Sequence, residues 1–244
     1  MKAVIMAGGK GTRLRPLTCT LPKPMVPVAC RPMMEHVVNL AVAHGFRDLA
    51  CTLCYMPDTI QTHFGDGASF GCSIRYSIEE TPLGTAGSVR ALADFTDDTF
   101  LVISGDALTD IDLASAVEFH RQKGAAATIV LTRVEAPLEY GVVIVDGDCR
   151  ITRFLEKPSW GEVFSDTVNT GIYVLEPDVM ELVEASREFD FSKNLFPQLL
   201  ADGYPMFGYV AEGYWCDVGN LEQYRNTHLD ILDGRVRLAI PGEL

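Results

Sequence analysis

The sequence predicts an α/β protein: a doubly wound, mostly parallel, Rossmann-like mixed sheet flanked by helices, with a small antiparallel lid in its second half. Three observations predict it. Short apolar runs and helical segments alternate through the first half, the rhythm of parallel strands joined by crossover helices. The first apolar run, Ala3–Met6, opens directly onto Gly8, Gly9 and Gly11, with Lys10, Arg13, Arg15 and Lys23 close behind; in doubly wound sheets ligands sit at the carboxyl ends of strands. From Ala126 onward strand-like segments follow one another with few helices between them, which calls for antiparallel additions.

After the first strand, Met33–Ala43 has a helical apolar face stopped by Gly45. Asp48–Cys54 reads as a strand and Pro57–Phe64 as a short helix with proline near its start. Ser73–Ile78 is a strand, Thr85–Ala93 a helix, Phe100–Ser104 a strand, and Leu113–Gln122 a helix capped by Asp112 and closed by Gly124. Ala126–Arg133, Gly141–Val145, Ile151–Phe154 and Asn169–Leu175 read as strands. Helices return at Asp178–Ala185, Ser192–Ala201 and Asn220–Leu232.

At 244 residues the chain suits one large domain with a buried core. A hydrophobic content of 48% and a charged content of 22% are those of an ordinary globular protein. No apolar run approaches the roughly 20 residues of a membrane span, and no signal peptide precedes the first strand, so a cytoplasmic setting is expected. A net charge of −13 argues against nucleic-acid and anionic-membrane partners. Seven cysteines, an odd number, fit reduced thiols. Cys51 and Cys54 lack both a helix N-terminus and a second pair, so they read as core residues rather than a redox or metal motif.

The glycine loop with its cations reads as a phosphate-binding mouth, because glycine lets backbone N–H groups approach a ligand and the cations meet its oxygens. Two known motifs fail against it. The P-loop places its lysine before Ser or Thr, whereas Lys10 precedes Gly11. The dinucleotide fingerprint needs a third glycine where Leu14 stands, and the nearest acid, Glu35, lies inside a helix. A plain Gly-rich turn has no use for four cations.

Ser104-Gly105-Asp106 follows the apolar run FLVI, and Asp217 follows the aromatic pair Tyr214-Trp215. Two carboxylates from distant segments could hold one Mg²⁺, which accepts sparse protein ligation when phosphate oxygens and water fill its shell. Each alone is more often a helix cap or turn residue. Glu156-Lys157-Pro158 offers an acid for hydroxyls and a base for phosphate, but by itself it is a common surface turn. His36, His44 and His120 lie on expected helices and read as structural.

Taken together, GGKGTRLRPLT with LPKPMVPV, then EETPLGTAGSV, SGDALTDIDL, FLEKP, NTGIYVLEP and GYWCDVGNLEQY resemble the sugar-1-phosphate nucleotidyltransferases, in order and spacing over about residues 1–232. Within that family the chain looks most like the mannose-1-phosphate guanylyltransferases. The resemblance implies transfer of a nucleoside monophosphate from a triphosphate to a sugar 1-phosphate, with release of pyrophosphate. It implies that Ala7, Gly8, Gly9, Gly11, Thr12, Gly84 and Thr85 line the nucleotide, Arg13 holds the leaving β- and γ-phosphates, and Lys23 meets the α-phosphate. Asp106 and Asp217 would hold Mg²⁺, Glu156 the sugar hydroxyls and Lys157 the sugar phosphate, with Gly141 and Asn169 lining the sugar. Arg13, Lys23, Asp106 and Asp217 are then the catalytic set, and partners are small molecules, with a homo-oligomer left open.

In relatives the residue five before the glycine of the LGTA loop reads the base; here it is Glu79, or Glu80 if the register shifts by one. A carboxylate only accepts hydrogen bonds, which matches the adjacent N1–H and N2–H₂ donors of guanine. GTP is therefore favoured, and mannose 1-phosphate follows from likeness alone. UTP, dTTP or ATP with glucose 1-phosphate, GTP with a heptose or cyclitol phosphate, and a silent nucleotide-sugar sensor remain as alternatives. Residues 1–232 read as the catalytic domain and 233–244 as a tail, where relatives often continue into an extension.

Overall fold

Strand β1 (Lys2–Met6) leads through three 3₁₀ turns and the small hairpin of β2 (Pro27–Val28) and β3 (Arg31–Pro32) into helix α1 (Met33–Ala43). The computed structural model describes residues 1–159, 161 and 165–238. The expected alternation then follows: β4 (Asp48–Leu53), α2 (Pro57–Phe64), β5 (Ser73–Ile78), α3 (Gly84–Arg90) and β6 (Phe100–Ser104). A short β7 (Ala107–Thr109) precedes α4 (Leu113–Lys123). Local chemistry sets these ends. Pro57 opens α2, where a missing N–H costs nothing. The Asp112 carboxylate accepts from the Ser115 N–H to start α4, and Gly124, at φ 56°, ends it.

The second half supplies β8 (Ala127–Arg133), β9 (Gly141–Val145), β10 (Ile151–Glu156), β11 (Thr167–Leu175), α5 (Phe196–Ala201), β12 (Met206–Val210), β13 (Trp215–Asp217) and α6 (Leu221–Leu232). Strands β6, β1, β4 and β5 are parallel neighbours in that order. The chain winds outward from β1 to β5 and then crosses back to β6, so the winding reverses between β1 and β6. In open α/β sheets ligands bind at such a switch point. Strand β11 continues the sheet antiparallel to β6 and pairs with both β8 and β9. The antiparallel part is thus continuous with a nine-stranded sheet, and two further antiparallel pairs, β7–β13 and β2–β3, stand apart from it.

Alternation along each strand builds a core on both faces. Ala3 and Ile5 join α1, α2 and α4 on one side, whereas Val4 faces α3 and α5 on the other. A third cluster, including Leu14, Val26, Leu108, Val218 and Val236, packs the basic amino-terminal loop against β7, β13 and α6. This cluster brings the loop to the sheet's upper edge.

Three local differences from the expected elements have physical reasons. The segment expected as a helix over 178–185 is a 3₁₀ helix, Pro177–Leu182, ended by extended Val183. The helix expected over 192–201 begins as a π turn, Phe191–Leu195, because Pro197 cannot donate into a preceding turn. Strand β12 escapes propensity because it contains Gly208; a Cβ there would lie 2.6 Å from Leu131 and 2.7 Å from Val145 side-chain atoms. Of the expected tail, Val236 is buried and the Arg237 N–H donates to Asp110 at 2.8 Å; residues 239–244 lie outside the described residues.

Two expected helix histidines are core residues. His36 Nε2 lies 2.8 Å from the Val28 carbonyl, and His120 bridges Thr128 and Glu176. Burial lowers the pKa of both below the ordinary 6.5, despite the raising effect of Val28 on one and of Glu176 on the other. The unfolded chain therefore binds more protons, and stability is lost as pH falls below about 6.5. Urea midpoints are expected to drop between pH 7.5 and 5.5, with a smaller drop in His120→Gln; an unchanged slope in that variant would remove His120 from the effect.

Candidate active site

The loop after β1 and the loop before α3 face each other across a cavity of ≈ 340 Å³ lined by Gly8, Gly9, Lys10, Cys54, Glu79, Pro82, Gly84, Thr85, Ser88, Ser104, Asp106 and Asp190, among others. Glu79 turns into it and Glu80 is exposed to solvent. The Glu79 Oε2 accepts from the Leu83 N–H at 2.8 Å, which fixes the carboxylate's orientation. Burial raises its pKa, against the opposing effect of that N–H. Cys51 is core, as expected, but Cys54 is only half-buried and lines the cavity beside Gly8. Strand β4 ends at Leu53, so Cys54 has already left the sheet.

Gly84 has φ +72°, and a Cβ there would meet the Phe189 carbonyl oxygen at 2.6 Å. The Phe189 carbonyl accepts from Ala86 and Gly87 at the start of α3, and Thr85 donates to Asp190 at 2.9 Å. Gly84→Ala combines an unfavourable backbone with a backbone clash, so it is expected to destabilise by about 1–3 kcal/mol. A denaturation midpoint equal to wild type would refute that tight seating.

At the end of β6, Asp106 meets Lys23 and Asp217. Asp217 is placed by the β13–β7 register, which sets it opposite Ala107. The Lys23 ammonium lies 2.7 Å from Asp106 Oδ2 and 2.9 Å from Asp217 Oδ1, with its side chain 8% exposed. Burial alone would depress the Lys23 pKa, but the two carboxylates outweigh it and hold the pKa above the ordinary lysine value. Burial would likewise raise Asp106, but the Lys23 charge and hydrogen bonds from Lys23 and Ser104 hold its carboxyl below the usual carboxylate range. Two hard oxygen donors brought to one cation suit Mg²⁺, which takes only one or two protein carboxylates when phosphates complete its shell. Among the described residues no group of three or more His, Cys, Asp or Glu side chains could hold a metal by itself.

A second cavity of ≈ 330 Å³ lies beyond this trio, lined by Arg13, Tyr140, Gly141, Glu156, Lys157, Asn169, Ser192 and Trp215, among others. Gly141 and Glu156 are partners across β9 and β10, and a Cβ on Gly141 would stand 2.9 Å from Glu156 Oε2. The Glu156 pKa is raised by burial first and by the Asp190 charge second. Lys157 adopts φ 47°, and its N–H donates to the Tyr140 carbonyl. Strand β11 is irregular between Asn169 and Tyr173, and the Asn169 side chain accepts from the Gly171 N–H. A strand irregularity beside a cleft re-aims the side chains that line it; here it also turns the Thr170 carbonyl to the indole N–H of Trp215.

The two cavities share one wall: Thr85, Ser104 and Asp106 line both. Arg13 belongs to the second cavity, with its guanidinium close to Gly219 beside Asp217. Ala7 is buried beneath the glycine loop, Gly11 at φ +62° lies against the Lys23 stem, and Thr12 is exposed; none of the three lines either cavity. Sequence reasoning missed Asp190, Ser192, Tyr140, Thr170 and Trp215. Tyr140 and Trp215 pack edge to face at 5.4 Å; each sits next to a singled-out residue or motif, the one available signal. Asp190 and Ser192 have no such neighbour.

The family model described as nucleotidyl transferase matches residues 2–234. The chain is 39% identical over 257 residues to a UTP–glucose-1-phosphate uridylyltransferase of Synechocystis sp., covering 99% of this chain and 66% of the relative. It is 39% identical over 234 residues to a mannose-1-phosphate guanylyltransferase of Mycobacterium tuberculosis, covering 95% of this chain and 65% of the relative. It therefore spans just under two thirds of the length of these curated relatives. A crystal structure of a Bacillus anthracis protein, provisionally assigned as a glucose-1-phosphate thymidylyltransferase, superposes with a TM-score of 0.86 at 26% identity, covering 98% of this chain and 97% of that one. With a switch-point cleft, a basic glycine loop and a family match over nearly its whole length, the chain belongs to the nucleotidyl transferase family.

Proposed function

We propose that the protein transfers a nucleoside monophosphate from a nucleoside triphosphate, with GTP favoured, to a sugar 1-phosphate, with mannose 1-phosphate favoured. The observation that carries this reading is the shared wall. A reaction joining two substrates needs two compartments that meet at the reacting atom, and here they meet at Asp106, beside Lys23 and Asp217.

The nucleotide occupies the cavity of Gly8, Gly9, Gly84, Thr85 and Glu79, and the sugar phosphate that of Gly141, Glu156, Lys157 and Asn169. A sugar-phosphate oxygen attacks the α-phosphorus, the bond to the β-phosphate oxygen breaks, and pyrophosphate leaves with that electron pair. The nucleophile is already anionic at neutral pH, so positioning and charge neutralisation suffice and no general base is required. Lys157 orients the incoming phosphate, Lys23 meets the negative charge growing at the α-phosphate, and Arg13 meets the departing pyrophosphate. Asp106 and Asp217 would hold Mg²⁺, which supplies further neutralisation of the phosphate oxygens when bound.

The all-acceptor carboxylate of Glu79 favours guanine, whereas the Synechocystis relative's name favours UTP with glucose 1-phosphate. The presence of Arg13, Lys23, Asp106, Lys157 and Asp217 together counts against a silent sensor. The partners in this reading are small molecules, and the net charge of −13 gives a nucleic acid no purchase. A cytoplasmic setting belongs to the same reading, supported by seven unpaired cysteines. Pyrophosphate release measured with four nucleotides against several sugar 1-phosphates in Mg²⁺ tests it: GTP with mannose 1-phosphate should lead, and a clear lead for UTP would reject the guanine assignment.

A further inference from the structure

The Lys23 ammonium engages the same two carboxylates that the proposed function gives to the metal. Its distances, 2.7 Å to Asp106 and 2.9 Å to Asp217, are those of charge-assisted hydrogen bonds. Its backbone sits in a 3₁₀ turn between Pro22 and Val26, and Gly11 packs against its stem so closely that a Cβ there would come within 2.7 Å of the Lys23 Cβ. Only the outer part of the side chain is free to move. Asp106 is further held by the Ser104 hydroxyl at 2.7 Å. A cation arriving alone must displace an ammonium that has no other acidic partner within salt-bridge reach among the described residues. A cation arriving with a phosphate brings that ammonium a new anion.

From this geometry we propose that Lys23 is a built-in place-holder cation: it occupies the Asp106–Asp217 pair in the free protein, and yields that pair to a divalent metal only when a nucleotide α-phosphate draws its ammonium away. Metal and nucleotide binding are thereby coupled. Each raises the other's affinity by one factor, because linkage is reciprocal. The lysine keeps the two carboxylates neutralised and ordered between turnovers, and it limits non-productive metal binding. This rests on the metal reading of Asp106 and Asp217 given above.

The test reads metal binding directly, with free Mn²⁺ followed by electron paramagnetic resonance on the full chain. Wild type alone should bind Mn²⁺ weakly. GMP, or UMP in parallel, offers one phosphate and chelates Mn²⁺ poorly by itself; after subtracting that chelation, it should raise the protein's Mn²⁺ affinity by about tenfold, within the usual range of coupling between sites. Lys23→Met should bind Mn²⁺ about tenfold more tightly than wild type without nucleotide and lose most of the GMP effect, and adding Asp106→Asn should abolish the gain. The wild-type measurement stands even if Lys23→Met folds poorly. Equal Mn²⁺ affinity with and without both monophosphates in wild type overturns the place-holder role and leaves the metal site intact. Absence of Mn²⁺ binding in every form, with or without nucleotide, overturns the metal reading and the coupling with it.

Discussion

Asp106→Asn is expected to lower kcat by on the order of 10³-fold in the pyrophosphate-release assay while leaving the far-ultraviolet circular dichroism unchanged. The substitution preserves size and removes one negative charge. An asparagine can still accept from the Ser104 hydroxyl, and Lys23 keeps its 2.9 Å contact with Asp217, so the fold loses little. In the proposed reading the site loses one of the two carboxylates that would hold a divalent ion. It also frees the Lys23 ammonium from half of its restraint. Because Asp106 lies on the wall common to both cavities, the loss should fall on kcat more than on KM for either substrate. Asp217→Asn should behave alike, and the double variant should cost much less than the product of the singles, since in the proposed reading both residues hold one ion. Full activity in Asp106→Asn would take that residue out of the reaction.

The sheet was legible because its signals are local. Pro57 and Asp112 mark helix starts, Gly124 marks a stop, and β1, β4 and β6 are apolar runs short enough to be strands. The site was legible where chemistry and chain position coincide, as at the glycine loop and at the acid following β6. It was illegible where a role depends on tertiary contact. The pairing of β13 with β7, which sets Asp217 beside Asp106, has no local signal, although the chemistry of the two acids had matched them in the sequence. Asp190 looks like an ordinary cap, accepting from Ser192 and Lys193, until the seat of Phe189 on α3 brings it to Thr85. The Lys23 bridge is of the same kind, since 194 residues separate it from Asp217.

Glu79→Gln is expected to narrow the preference for GTP over UTP by about 5- to 150-fold, the factor corresponding to ~1–3 kcal/mol for a mismatched buried polar group. One carboxylate oxygen is committed to the Leu83 N–H, which leaves Oε1 on the side of Gly8 and the cavity. An acceptor there complements guanine's paired donors and repels the uracil O4. A glutamine keeps the Leu83 contact through its carbonyl oxygen and presents its NH₂ instead, reversing the preference at that edge. The raised pKa of Glu79 adds a second signature. As pH falls toward it, the carboxyl gains a proton and comes to resemble the amide, so wild-type selectivity for GTP should shrink on acidification and recover on return to neutral pH. Glu79→Gln has no proton to gain, so its selectivity should be flat over the same range, which separates base reading from any general effect of pH on turnover. Selectivity that follows the same pH course in both proteins, or a Glu79→Gln ratio equal to wild type, would assign the base edge to another group lining that cavity.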